Sequence, residues 1–241
     1  MNNYKLTIQY DGTDYAGWQV QKNAKTVQGT ISDAIKVILK EEVNLIGSGR
    51  TDTGVHALGQ IANFRFDNKI DIYRFQHSLN SILPVDISVT DLMEVPESFH
   101  SRFDAKSRTY FYVVCKIKSP FYYRYSLFKK GLDVQMLNQL CKNFVGEKDY
   151  TSFCKKNSEV NSKICKVSSA EWRETKNFYL FFISADRFLH GMVRTIIGTL
   201  FDALVHTKGD DFINNNFNNK DRASAGEAVA AKGLFLFKIT Y

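Results

Sequence analysis

Proline is almost missing from this chain, with 3 residues in 241, which leaves little room for long structureless linkers. Cysteine is nearly as rare. Cys115, Cys141, Cys154 and Cys165 form no C-x-x-C pair and have no histidine nearby at ligand spacing. That pattern excludes a structural zinc site and fits reduced thiols in a cytoplasmic protein. The opening residues "MNNYKLTIQYDG" lack the apolar core of a secretory signal. The most apolar helix-like stretch, residues 192 to 205, is broken by Arg194 and Asp202 and falls short of a membrane span. No phosphate loop is complete: Gly47 and Gly49 run into Asp52, and Gly54 is followed by Val55 and His56 rather than Lys and Ser or Thr. The five histidines show neither metal spacing nor the companions of a catalytic triad. The expectation is therefore an enzyme or binding protein with no metal, no organic cofactor and no membrane partner.

What the chain does have is positive charge. A formal charge of +7 and a sequence pI near 9.1 suit a polyanionic partner, because basic side chains gain affinity by releasing counterions from phosphates. A hydrophobic content of 44% with 24% charged residues is that of a globular protein with a real core. The length allows one large domain or two ordinary ones.

Hydrophobic periodicity sorts the chain into two halves. "KLTIQYD" alternates Leu6, Ile8 and Tyr10 against polar neighbours, as a half-buried strand does. "TVQGTISDAIKVILKE" repeats Val27, Ile31, Ile35 and Ile38 at helical spacing. "GQIANFRF" and "DISVTDLMEV" read as strands, with the helix-like "IYRFQHSLNSIL" between them. In the second half "RTYFYVVCKI" is β-prone, and "VQMLNQLCKNFVG" places Met136, Leu140 and Phe144 on one helical face before a capping Gly. Strands are expected at 164–173 and 178–185, a long helix over "LHGMVRTIIGTLFDALVHT", and a final strand in "GLFLFKITY". Both halves thus read β-α-β-β-α-β, the ferredoxin-like order. The expected architecture is α+β, residues 1–100 and 101–241 forming two domains whose antiparallel sheets lie side by side around a central basic cleft.

Four places could carry chemistry. "GSGRTDTGVHA", residues 47 to 57, brackets Arg50 and Asp52 with three glycines. Taken alone, Asp52 reads first as a turn residue bonding nearby amides, and Arg50 as a solvated charge. Arg194 lies inside the apolar "MVRTII", with Gly191 and Gly198 at helical spacing. Interior glycine costs about 1 kcal/mol relative to Ala, so something is expected to pack close there. A covered Arg needs a carboxylate, while an Arg on the rim snorkels to water. Tyr110 and Tyr112 share one strand face, where core packing is the usual role. "KIKSPFYYRYSLFKK", residues 116 to 130, interleaves Lys116, Lys118 and Arg124 with aromatic rings. That composition suits looped RNA, or else an aromatic loop packed on its own sheet.

These pieces together resemble the tRNA pseudouridine synthase A family over nearly the whole chain. "YDGTDYAGWQVQ" with "TVQGTISDAI", "GRTDTGVHALGQ", "FHSRFDAKSRTYFYVV", "FLHGMVRTIIGTL" and "AGEAVAAKGLFL" are similar to five ordered motifs of that family. The resemblance implies conversion of uridine to pseudouridine at positions 38–40 of the tRNA anticodon stem-loop, by a cofactor-free homodimer. It implies that Asp52 is the essential aspartate, Tyr110 the tyrosine that packs on the target base, and Arg194 the basic residue that pairs with the aspartate. Arg50 matches the arginine associated with holding the target nucleotide out of its stack. Three positions depart from the family pattern: Ala230 stands for a usual proline, Thr195 for a frequent Asn, and Tyr150 for a common Phe.

The residue types suit the reaction. Breaking the N1–C1′ bond, turning the base and rejoining it through C5 asks for a carboxylate that can attack, stabilise charge or move a proton. Burial would raise the pKa of such a carboxylate, and a neighbouring Arg opposes that. Stacking on a tyrosine repays part of the few kcal/mol lost in unstacking the base. Two other readings compete: a non-catalytic RNA-binding or RNA-folding protein of the same fold, and an Asp-dependent hydrolase that would release free uracil.

Overall fold

A computed structural model describes residues 1–155, 162–205 and 209–241. In chain order the elements are β1 (Asn2–Tyr10), α1 (Val27–Leu39), β2 (Ile46–Gly47), β3 (His56–Phe66), α2 (Ile72–Ile82) and β4 (Ile87–Val95). They continue with β5 (Ser107–Cys115), β6 (Leu127–Phe128), α3 (Val134–Cys141), β7 (Gly146–Asp149), β8 (Ile164–Glu174) and β9 (Phe178–Ala185). Helices α4 (Met192–Ala203) and α5 (Gly209–Asn219) precede β10 (Leu234–Thr240). The protein is of the α+β class. It divides into two compact units, Met1–Lys106 with Phe235–Tyr241, and Ser107–Leu234.

In the first unit β1 lies between β4 and β3, antiparallel to both, with Leu6 opposite Ala62 on one side and Leu92 on the other. Strand alternation sends Tyr4, Leu6, Ile8 and Tyr10 into the core, all at most 4% exposed. Helix α1 starts where the Thr26 hydroxyl accepts from Gly29 N–H and stops at Lys40 in the left-handed region. Its Val27, Ile31, Ala34 and Ile35 are buried, the stripe the spacing predicts. The two-residue β2 pairs with β3 through Ile46 and Gly47. Strand β10 runs parallel to β3 at Phe235–His56 and Leu236–Ala57, so this C-terminal strand belongs mostly with the first unit.

In the second unit β9 lies between β5 and β8, and β7 extends β8, all antiparallel. Helix α3 buries Leu137, Leu140 and Cys141, and burial pushes the Cys141 thiol up to about 12. It ends sooner than its pattern suggests. A single 3₁₀ turn, Lys142–Phe144, follows, and Gly146 opens β7 at φ 106° instead of capping the helix. Helix α4 also starts later than the periodicity implies. Gly191 is its N-cap at φ 74°, so Leu189 and His190 precede the helix. The expected tail of that helix, His206 and Thr207, lies outside the described residues. Among the described residues no helix is long and apolar enough to cross a membrane.

Candidate active site

In the first unit the Asp52 loop rests on buried polar and aromatic groups. The Tyr10 hydroxyl meets Thr51 Oγ1 at 2.8 Å. Burial pushes that hydroxyl above the ordinary tyrosine range, against the opposing pull of its bonds to Thr51 and Gln60. Gln60 is fully buried and bonds the loop twice. Its Oε1 accepts from the Ser48 hydroxyl at 2.7 Å, and its Nε2 donates to the Gly49 carbonyl at 3.0 Å. Trp18 N–H donates to Thr51 O, and Gly54 N–H to Tyr15 O. The chain then turns: Val55 N–H donates to Asp52 O at 3.1 Å, with Gly54 at φ 75° in the third position. A type II turn demands positive φ there, and glycine accepts it without strain.

The three motif glycines therefore do different things. Gly54 makes the turn. A Cβ on Gly47 would stand 2.4 Å from the Trp18 indole nitrogen, so this position must stay bare, whereas Gly49 has open space around it. A fourth glycine matters more than the sequence suggested. Gly17, at φ 86°, would place a Cβ 2.4 Å from the Thr51 carbonyl oxygen, directly against the residue before Asp52. Asp52 itself is half-buried and Arg50 exposed. Behind them His56, 1% exposed, stacks on Phe235 with its Nδ1 3.1 Å from Gly12 N and 3.0 Å from Asp11 Oδ1. One nitrogen cannot satisfy both: bare, it accepts from Gly12, and protonated, it donates to Asp11. Asp11 and Gly12 belong to the "YDG" in which β1 ends, so two motifs far apart in sequence meet here.

In the second unit Tyr110 is 8% exposed, paired with Ile183 across the sheet and edge-on to Phe188 at 5.2 Å between ring centres. Tyr112 is wholly buried, and its hydroxyl donates to Ala230 O at 2.8 Å. Burial raises the Tyr112 hydroxyl, with the positive charge of Arg194 opposing. Arg194 is half-buried. Its Nε donates to Val229 O at 2.7 Å, and Val229 N–H returns a bond to the Arg194 carbonyl at 3.2 Å. The close packing expected beside Arg194 comes from this same segment, because a Cβ on Gly198 would lie 1.8 Å from Glu227 O. Gly191, by contrast, is a cap and not an interior glycine.

The four basic candidates are held differently. Lys118 and Arg124 are exposed, as is Arg50. Lys116 is only 19% exposed; its Nζ bonds Glu174 at 2.5 Å and Thr175 O at 2.6 Å and lies over the Tyr179 ring. Sequence reasoning gave Tyr10 only a place in a strand core and no role to Gly17, Trp18 or Gln60. Three of them stand inside the quoted "YDGTDYAGWQVQ", which is the signal that could have found them. Among the described residues no group of three or more His, Cys, Asp or Glu is placed to hold a metal ion.

The tRNA pseudouridine synthase family matches residues 6–104 and 140–241. The chain is 43% identical over 244 residues to tRNA pseudouridine synthase A of Caldicellulosiruptor saccharolyticus, covering all of both chains. It is 40% identical over 240 residues to the protein of that name from Brachyspira hyodysenteriae, covering 98% of this chain and 96% of the other. Among solved structures, a chain of a Cbf5–Nop10–Gar1 complex is similar at a TM-score of 0.37 and 14% identity, over 82% of this chain and 53% of that one. That last likeness is too remote to argue from. With the family matched in two blocks and full-length relatives at this identity, the chain belongs to the tRNA pseudouridine synthase family.

Proposed function

We propose that this enzyme isomerises uridine to pseudouridine at positions 38–40 of the tRNA anticodon stem-loop, with Asp52 as the essential carboxylate. One observation carries the reading: the Asp52 loop is fixed from beneath by Tyr10, Gln60 and Gly17, while the carboxylate stays half-exposed. A turn that merely reverses the chain needs no such foundation. A carboxylate that must meet a sugar or a base within a few tenths of an ångström does.

The reaction exchanges an N1–C1′ bond for a C5–C1′ bond. The proton on C5 leaves and N1 ends protonated, so substrate and product are isomers and no redox partner is required. Asp52 is the nucleophile or the acid–base group. Tyr110 offers its ring to the extruded base, whose unstacking costs a few kcal/mol. Arg194 supplies the positive charge that keeps a carboxylate ionised in a dry site. Arg50, exposed beside Asp52, holds the target nucleotide out of its stack. The working form we propose is a cytoplasmic homodimer.

The test is pseudouridine mapping after incubation with unmodified tRNAs that carry uridine at 38, 39 or 40. The wild-type chain should give product at those positions. Asp52→Asn should bind the same tRNA and give none. Product at other positions would overturn the assigned target, and full activity in Asp52→Asn would overturn the assigned carboxylate.

A further inference from the structure

The loop that leaves β5 and returns at β6 falls between the two blocks matched by the family, which assign it nothing. Its ends are fixed. Cys115 pairs with Phe128 and Val114 with Leu127, Lys129 N–H donates to Cys115 O at 3.1 Å, and Cys115 Sγ bonds Ile117 O. Within it Tyr125 N–H and the Ser126 hydroxyl both donate to Tyr122 O, and Ser126 is 2% exposed. The segment is thus a compact loop with its ends together and an internal anchor. The Tyr122 ring sits edge-on to Phe178, 4.9 Å between centres.

Its outer surface is unusual. Phe121 is 85% exposed and Tyr123 60%, with Tyr125 and Phe128 at 40% and 47%. Large rings left in water on a fixed loop mark an interaction surface. The charge on it has one sign: Lys118, Arg124, Lys129 and Lys130 are exposed, Lys116 is held inward on Glu174, and residues 116 to 130 include no Asp or Glu. Lys232 adds a cation 5.8 Å from the Tyr123 ring centre. A second copy of this chain would bring the same cations face to face, which disfavours self-association. An RNA with unpaired bases supplies both phosphates for the cations and π-faces for the rings.

We propose that this loop is a stacking platform for unpaired nucleotides of the tRNA, Phe121 and Tyr123 taking bases while Lys118 and Arg124 take phosphates. It rests on, and deepens, the reading of this chain as a tRNA-modifying enzyme. It gives the protein a hold on RNA separate from the residues that do the chemistry.

The test uses the full chain and a fluorescently labelled, unmodified tRNA, read by binding titration across a salt series. Phe121→Ala and Tyr123→Ala should each weaken binding by about 5- to 150-fold, the range for losing one base stack. Neither should change the salt slope or kcat at saturating tRNA. Phe121→Trp should bind like wild type and report contact by fluorescence, since Trp18 and Trp172 are both only 2% exposed. Phe121→Leu, apolar but unable to stack, should behave like Phe121→Ala. Lys118→Gln and Arg124→Gln should each reduce the salt slope by roughly one. Unchanged affinity in both alanine variants would overturn the proposal. So would equal binding by the leucine and tryptophan variants, or a shift from larger to smaller particles in ultracentrifugation of the RNA-free alanine variants, which would make the loop a contact between copies. Binding is read without catalysis, so failure here is separable from failure to make pseudouridine.

Discussion

Two loops carry the roles proposed above, and they are built on opposite plans. The Asp52 loop leaves only Arg50 and Thr53 exposed and rests on buried hydrogen bonds from Tyr10 and Gln60 and on bare glycine contacts with Trp18 and Thr51. The loop of residues 116 to 128 is pinned at its ends and at Ser126, and presents its rings outward. The difference follows from what each must do. A reacting carboxylate misplaced by 1 Å loses roughly 100-fold in rate, so it needs support from below. A stacking ring tolerates small displacements, because every base has a face and the strand can adjust.

The sharpest way to break that contrast is to disturb the first loop without touching Asp52. In Gly17→Ala the new methyl meets the Thr51 carbonyl at a left-handed φ, so the backbone before Asp52 must shift. Loss of roughly 100-fold or more in kcat is expected, with tRNA affinity by titration near wild type. Gln60→Leu comes next. It removes the amide that bonds the Ser48 hydroxyl and the Gly49 carbonyl, at about 1 kcal/mol for each hydrogen bond lost. A kcat lowered roughly 10- to 100-fold with little change in KM is expected. If either substitution instead raised KM alone, the buried supports would not be positioning the chemistry.

Tyr10→Phe should do less, since Thr51 and Gln60 each lose one partner, Gln60 keeps its bonds to Ser48 and Gly49, and the ring stays in place. A hydrogen bond worth about 1 kcal/mol corresponds to roughly 5-fold in kcat, measured at saturating tRNA. Ser126→Ala is its counterpart in the other loop. It removes the anchor to Tyr122 O, and should raise KM by a similar factor while kcat stays put.

How much of this was legible in the sequence depends on how locally each feature is determined. Alternation in "KLTIQYD" and the stripe in α1 specify buried faces within a few residues, and both were readable. The motif marked Asp52, but not what holds it. Gln60 is 12 residues from Ser48 and Gly17 is 34 from Thr51, and nothing local signals that they meet. The late start of α4 was hidden because Gly191 fits a helical period as easily as it caps one. Helix α5 was missed since its "GDDFINNNFNN" is rich in asparagine, a weak helix former, and buries only Gly209, Ile213 and Asn216. Its reason to be helical is tertiary: Phe217 packs on Phe144, Tyr150 and Phe153. Tyr150, where the family commonly has Phe, also places its hydroxyl on the Phe144 carbonyl.

The smallest effect is expected in a third segment, Gly226–Ala230, which lies along α4 and bonds Arg194 in both directions through Val229. Ala230 replaces a proline usual in the resembled motif, yet its φ of −53° and ψ of 139° already suit one. Proline there would narrow the unfolded ensemble without demanding a new native conformation. Its carbonyl, which accepts from Tyr112, is retained. Ala230→Pro should therefore stabilise by about 0.4–1 kcal/mol, a rise in Tm of roughly 1–4 °C by calorimetry. The accompanying kcat sorts the segment into one plan or the other. Unchanged kcat would place it with the Asp52 loop, a support already held in its working shape. A fall in kcat despite a higher Tm would mean that the segment bonded to Arg194 has to move during the reaction, and that fixed support is confined to the carboxylate.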